Sequence, residues 1–186
     1  FYTIFSLLSG IGFSIILSNA KQNNSNGTKV FYRRMLVLLL IGLLHLVCLW
    51  AGDILALYAI AGLFLPLFNT VSNKKLITWA VVLLLIPVGI DAGVEFLGWN
   101  PAAPAIAATQ YFHGQFGITE ENFPVWLVES QTYLDVLKFN LAGSFIRLQE
   151  FIDGNRLFKV LGLFLLGLYI GRKGIYANLD HYKPLL

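Results

Sequence analysis

Long apolar runs, broken by short polar stretches, constrain this chain more than any other feature. They occupy residues 1–19, 35–50, 54–68, 76–97 and 156–171. Runs of this kind need a bilayer or a large core to hide in, and about 20 apolar residues suffice for one helical crossing. The rest of the chain cannot supply a soluble surface. Charged residues make up 12% of it, against about 25% in soluble domains, and 57% of it is hydrophobic. This composition excludes an ordinary soluble enzyme, a disordered chain and a nucleic-acid-binding domain. It predicts an all-α fold: a polytopic transmembrane helical bundle of about five spans, with interfacial helices, forming a single membrane domain.

The spacing of the runs adds detail. Runs 35–50 and 54–68 are short for a crossing, but Arg and Trp residues at their ends can lengthen them by snorkelling. One helix over 35–68 would measure about 51 Å at 1.5 Å per residue, so Ala51-Gly52-Asp53 reads as the tight turn of a helical hairpin. Lys21 to Lys29 and Asn69 to Lys75 read as polar loops. Pro87 and Gly89 predict a bend in 76–97. Ser6, Ser9, Gly10, Gly12 and Ser14 make a small-residue face, and Gly162 and Gly167 read as packing glycines. Residues 98–155 contain Pro101, Pro104 and Pro124 and most of the acids. They read as an extracytoplasmic segment. Apolar residues at helical spacing, from Trp126 to Ile152, predict one or two interfacial helices there. The chain opens inside an apolar run, with no preceding basic stretch and no following cleavage site. A signal peptide does not fit, and the chain reads as a fragment of a longer protein.

Lysine and arginine positions predict orientation. Lys21, Lys29, Arg33, Arg34, Lys74, Lys75, Arg172, Lys173 and Lys183 fall in the loops at 20–34 and 69–75 and in the tail, with one acid, Asp180. Lys138, Arg147, Arg156 and Lys159 fall on the other side, with all the remaining acids. The first side is expected to be cytoplasmic.

Few residues could carry chemistry. His45 lies in the second run, where an ionisable side chain is expensive and usually faces a bundle interior or a wet cavity. It could act as a proton carrier or general base, or be a neutral histidine bonded to a neighbouring helix. Asp53 suits a helix N-cap and equally a carboxylate at the mouth of a cavity. Asp91 and Glu95 share a helix face four residues apart and could bind a cation or a substrate or do acid–base work, or simply form a solvated helix end. Arg147 with Glu150, and Asp153 with Arg156, have the spacing of local pairs; Arg147 could instead meet a helix carboxylate or a substrate anion. Arg33 and Arg34 fit topology signals, or a phosphate-bearing ligand. Cys48 is the sole cysteine, so no internal disulfide forms. His113 and His181 lack metal-ligand spacing, and no metal site is expected.

Three blocks carry a family resemblance. They are Phe5-Ser6-Leu7-Leu8-Ser9-Gly10-Ile11-Gly12-Phe13, the stretch from Arg33-Arg34-Met35 through His45 to Trp50-Ala51-Gly52-Asp53-Ile54-Leu55 and Tyr58-Ala59, and Leu161 to Gly167 closing with Gly171-Arg172. Together they resemble the YeiB family of bacterial inner-membrane proteins, a domain of unknown function distantly grouped with membrane acyltransferases. The resemblance implies a multi-pass protein of the bacterial inner membrane. It also implies transfer of an acyl group from cytoplasmic acyl-CoA, as donor substrate and with no bound cofactor, to an extracytoplasmic acceptor. His45 would be general base, Asp53 its orienting carboxylate, and Arg33 and Arg34 ligands for the CoA phosphates. A proton-coupled transporter or exporter, using His45, Asp53, Asp91 and Glu95, and a structural membrane scaffold are the other readings. The partners expected are the lipid bilayer, acyl-CoA and the acceptor, with no nucleic acid.

Overall fold

Polar residues between the apolar runs decide where helices stop. A computed structural model describes residues 2–119 and 121–175. Its helices are α1 (Tyr2–Gln22), α2 (Gly27–Cys48), α3 (Leu55–Phe64) with a 3-10 turn (Leu65–Phe68), α4 (Asn73–Leu97), α5 (Ala103–Phe116), α6 (Trp126–Glu129), α7 (Tyr133–Asp153) and α8 (Arg156–Lys173). No strand occurs among the described residues. The tail residues Asp180, His181 and Lys183 lie outside them.

The loop expected at 20–34 shrinks to four residues, because α1 and α2 both run past their apolar stretches. The Asn26 side chain accepts the Lys29 N–H at 3.0 Å and so caps α2 eight residues before the apolar run at 35. Gly98 and Gly117 end α4 and α5 in the left-handed conformation, at φ 61° and 73°, where glycine has no Cβ penalty. Pro87 sits inside α4, which continues past it to Leu97.

α8 is the central helix, packed on α1, α4 and α3. Phe13, Leu65, Leu76, Phe164, Leu165 and Leu168 are fully buried around it. α1 and α8 run parallel and approach closely. A Cβ on Gly10 would collide with the Phe164 carbonyl oxygen, and one on Gly167 with that of Leu7. Further along, a Cβ on Gly171 would lie 2.5 Å from the Ser14 Cβ. Gly12 and Ser9 do not belong to this contact: nothing approaches Gly12, and the half-buried Ser9 donates its hydroxyl to the Phe5 carbonyl of its own helix. The small-residue face is therefore narrower than the sequence suggests. Gly162 packs against Leu84 and the Ala80 carbonyl of α4, which runs antiparallel to α8.

Bonds between helix termini define two ends of the bundle. At one, Arg172 donates to the carbonyls of Val71 (2.6 Å), Phe68 (2.8 Å) and Asn69 (2.6 Å). At the other, Asn155 Nδ2 donates to Asp91 Oδ1 at 2.7 Å. There too the Tyr58 hydroxyl donates to the Tyr2 carbonyl at 2.8 Å, with its ring stacked on Phe164 at 5.8 Å.

Five spans are expected from the sequence, whereas three helices are long and apolar enough to cross a membrane: α1, α2 and α4. They suggest a membrane location. The 54–68 run falls short because its α-helix has 10 residues before tightening into the 3-10 turn. The 156–171 run falls short because Arg156, Lys159, Arg172 and Lys173 lie in its helix.

The helix contact predicts the effect of added methyl groups. Gly10→Val or Gly167→Val should destabilise by about 1–3 kcal/mol or more, the usual range for overpacking. Gly12→Ala should be neutral or stabilising by up to about 1 kcal/mol, because a helical glycine is replaced in open space. Thermal unfolding in detergent distinguishes them. Equal effects at Gly10 and Gly12 would contradict the contact.

Candidate functional site

Among the described residues, Asp53 is the one charged residue that is buried. The turn between α2 and α3 is built to hold it. Both Leu49 and Trp50 donate their N–H groups to the His45 carbonyl, at 3.0 and 2.9 Å, closing α2. The Trp50 indole then folds over Gly52, where a Cβ would lie 2.5 Å from the ring. Glycine is needed there for this close approach. Gly42, one turn before His45, lets the start of α3 pack closely, since a Cβ would lie 2.6 Å from the Ala56 nitrogen.

The two Asp53 carboxylate oxygens have separate roles. Oδ2 accepts the Ala56 N–H at 3.0 Å and caps the first turn of α3. Oδ1 lies 3.1 Å from His45 Nδ1. This approach lacks the linear alignment of a hydrogen bond, and Nδ1 has no other partner. It is a close electrostatic contact. The Asp53 side chain is 2% exposed and that of His45 31%, so the imidazole bridges a buried carboxylate and an accessible surface. The positive N-terminal end of α3 also favours the carboxylate.

α7 braces the same turn. Arg147 donates from Nε to the Asp53 carbonyl at 3.0 Å and from Nη2 to the Gly52 carbonyl at 3.1 Å. Its Nη1 pairs with the Glu150 carboxylate, and its guanidinium lies 4.9 Å from the Phe151 ring centre. The Tyr133 hydroxyl donates to the Cys48 carbonyl. At the start of α7, hydrogen bonds from Thr132 and then Lys138 hold the Asp135 carboxyl below the usual carboxylate range. Beside Arg147 opens a cavity of about 590 Å³ whose lining includes Tyr2, Ile54, Arg147, Glu150, Asp153 and Arg156.

The structure thus brings His45, Asp53 and Arg147 together, but Arg147 serves backbone carbonyls and not a carboxylate side chain of another helix. Arg33 and Arg34 are exposed on α2 near its start, with Arg33 about 18 Å along the helix from His45 at 1.5 Å per residue. Asp91 and Glu95 are separated in role: Asp91 binds Asn155, and Glu95 is exposed without a bonded partner. Asp153 and Arg156 do not pair, because the chain turns between them at Asn155, with φ 49°. Arg156 instead lies 5.2 Å from the Tyr2 ring centre. His113 stands apart on α5, 6.0 Å from the Phe123 ring. Among the described residues no three His, Cys, Asp or Glu side chains gather as metal ligands.

Tyr133, Gly52 and Asn155 are absent from the sequence-derived candidates. One signal was available for the brace. Asn140, Gly143, Arg147 and Phe151 follow at intervals of three to four on one stripe of α7, and Gly143 packs against Ala51 in the turn.

No family model matches the chain, and no solved structure matches it. It is 37% identical over 83 residues to the uncharacterized protein YxaH of Bacillus subtilis, covering 45% of this chain and 21% of that protein. An uncharacterized 39.9 kDa protein of Bacillus acidopullulyticus is 36% identical over 89 residues, covering 47% of this chain and 25% of that protein. The uncharacterized protein YeiB of Escherichia coli is 30% identical over 125 residues, covering 61% of this chain and 31% of that protein. The chain spans about a fifth to a third of the length of these relatives.

Arg147→Gln should leave the Gly52 and Asp53 carbonyls short of donors. A loss of about 1–3 kcal/mol is expected for polar groups left unsatisfied. Arg147→Lys should not restore it, since one ammonium does not reproduce the planar fork. Thermal unfolding reads this; a lysine variant as stable as wild type would contradict it.

Proposed function

We propose that this chain is the core of a multi-pass inner-membrane protein that transfers an acyl group from cytoplasmic acyl-CoA to an extracytoplasmic acceptor. The single observation that carries the reading is the His45–Asp53 contact. One imidazole nitrogen faces a buried, capped carboxylate, while the ring stays partly accessible. A histidine so oriented presents its other nitrogen as a general base.

In this reading Nε2 of His45 takes the proton of an acceptor hydroxyl as its oxygen attacks the thioester carbonyl carbon. The carbon–sulfur bond breaks, CoA leaves as its thiolate, and Asp53 stabilises the imidazolium. Arg33 and Arg34, at the opposite end of α2, hold the CoA phosphates, and the long pantetheine arm covers the distance to His45. The relatives are uncharacterized proteins and leave the reaction open.

The parallel run of α1 and α8 supports five crossings. Two helices entering from the same end require an odd number of crossings between them, and α2, α3 and α4 supply three. α8 has 18 residues, about 27 Å at 1.5 Å per residue, close to the hydrocarbon thickness of about 30 Å. Lys21, Lys29, Arg33, Arg34, Lys74, Lys75, Arg172 and Lys173 then lie at the cytoplasmic end. In a Cys48→Ser background, Asn24→Cys and Asn73→Cys should react with an impermeant thiol reagent only from the cytoplasmic side, and Gln131→Cys only from outside. The reverse pattern would overturn the orientation.

The charged cavity beside Arg147 favours a second reading, proton-coupled transport of a small molecule. Radiolabelled acetyl-CoA and full-length protein in nanodiscs separate the two. Acyl transfer should fall about 10²-fold or more in His45→Ala, the usual contribution of a general base, and fall in Asp53→Asn. Transfer unchanged in His45→Ala would overturn the proposal. No transfer by wild type, with pH-gradient-dependent uptake in vesicles, would establish transport instead.

A further inference from the structure

Two cavities lie side by side where α1 and α8 begin, and Leu57 and Phe151 line both. One, of about 590 Å³, is charged. The other, of about 440 Å³, is apolar, lined by Ile90, Leu148 and Leu157 with Trp99. A tryptophan beside apolar residues at a helix end is the pattern of a membrane interface.

The charged lining is balanced but not paired. Arg147 is committed to Glu150 and to two backbone carbonyls. Arg156 and Asp153 have no ion-pair partner among the described residues, and both are exposed. Their i,i+3 spacing would let them meet on a continuous helix. The left-handed Asn155 breaks the helix between them, and Asn155 is itself tied to Asp91. A guanidinium without a carboxylate partner, 5.2 Å from the Tyr2 ring centre, and an unpaired carboxylate are thus held apart beside one cavity, next to an apolar cavity.

We propose that the two cavities together hold one phospholipid with a zwitterionic, amine-bearing headgroup, its phosphate on Arg156, its ammonium on Asp153 and an acyl chain in the apolar cavity. Guanidinium suits phosphate as a forked donor. An anionic headgroup without an amine fits less well, because two carboxylates offset two guanidiniums in the lining and Asp153 would face the phosphate uncompensated. Leu57 and Phe151, which line both cavities, set the headgroup and chain positions side by side. This site does not depend on the acyl-transfer reading.

Native mass spectrometry of the full-length protein in detergent tests it, with phosphatidylethanolamine, phosphatidylglycerol of the same chains, and free phosphoethanolamine. Phosphatidylethanolamine should be retained over phosphatidylglycerol. Arg156→Gln and Asp153→Asn, both at exposed positions where folding is not at stake, should each weaken its retention by about tenfold, as expected for one lost charge-assisted contact. Leu157→Trp, filling the apolar cavity, should weaken it too, and free phosphoethanolamine should not displace it. Wild-type retention in both charge variants would overturn the proposal. So would equal retention of phosphatidylglycerol, which would show that the amine is not read, or displacement by phosphoethanolamine, which would show that the chain is not held.

Discussion

The buried Asp53 carboxylate is the constraint around which one end of the bundle is arranged. Burying an ion is expensive unless it is bonded and compensated. Here one oxygen caps α3 through Ala56 and the other meets His45. The backbone of the same residue is held from outside by Arg147. A helical hairpin of two short apolar segments is thereby given a fixed turn, and α7 is fastened over it. Removing the side-chain oxygens would release the start of α3 and the orientation of His45 together.

The second dependence is steric. α8 can occupy the centre only because Gly10 and Gly167 let two backbones meet. With α8 in place, Tyr58 stacks on Phe164 and bonds to Tyr2, which brings the beginnings of α1, α3 and α8 to one end. The charged cavity lies where these helix starts meet the end of α7. Helix packing at the glycines and the cavity at the helix ends are thus two levels of one structure, the first placing the walls of the second.

Much of this was legible in the sequence. Apolar runs mark α1, α2, α3, α4 and α8, helical spacing marks α7, and a continuous 35–68 helix is too long for one crossing, which locates the turn at Gly52-Asp53. The pairing of His45 with Asp53 was implied by the family resemblance, while the residues alone left each with a structural alternative. Helix boundaries were less legible, because Asn26 caps α2 well before its apolar run and carries the helix through Arg33 and Arg34. The backbone partners of Arg147 could not be read at all. Its local pairing with Glu150 follows from spacing, but its bonds to Gly52 and Asp53 join residues more than ninety positions apart. Nor could Asp91 be assigned to Asn155, because that bond depends on a left-handed residue in a two-residue connection.

We propose that Asp53 orients His45 so that Nε2 is the free nitrogen. Nitrogen-15 NMR of histidine-labelled full-length protein tests it most directly, with the signals assigned through His45→Gln. The neutral ring of His45 should carry its proton on Nδ1 and leave Nε2 bare, and this preference should weaken in Asp53→Asn. A proton on Nε2 in the wild type, or the same tautomer balance in Asp53→Asn, would contradict it.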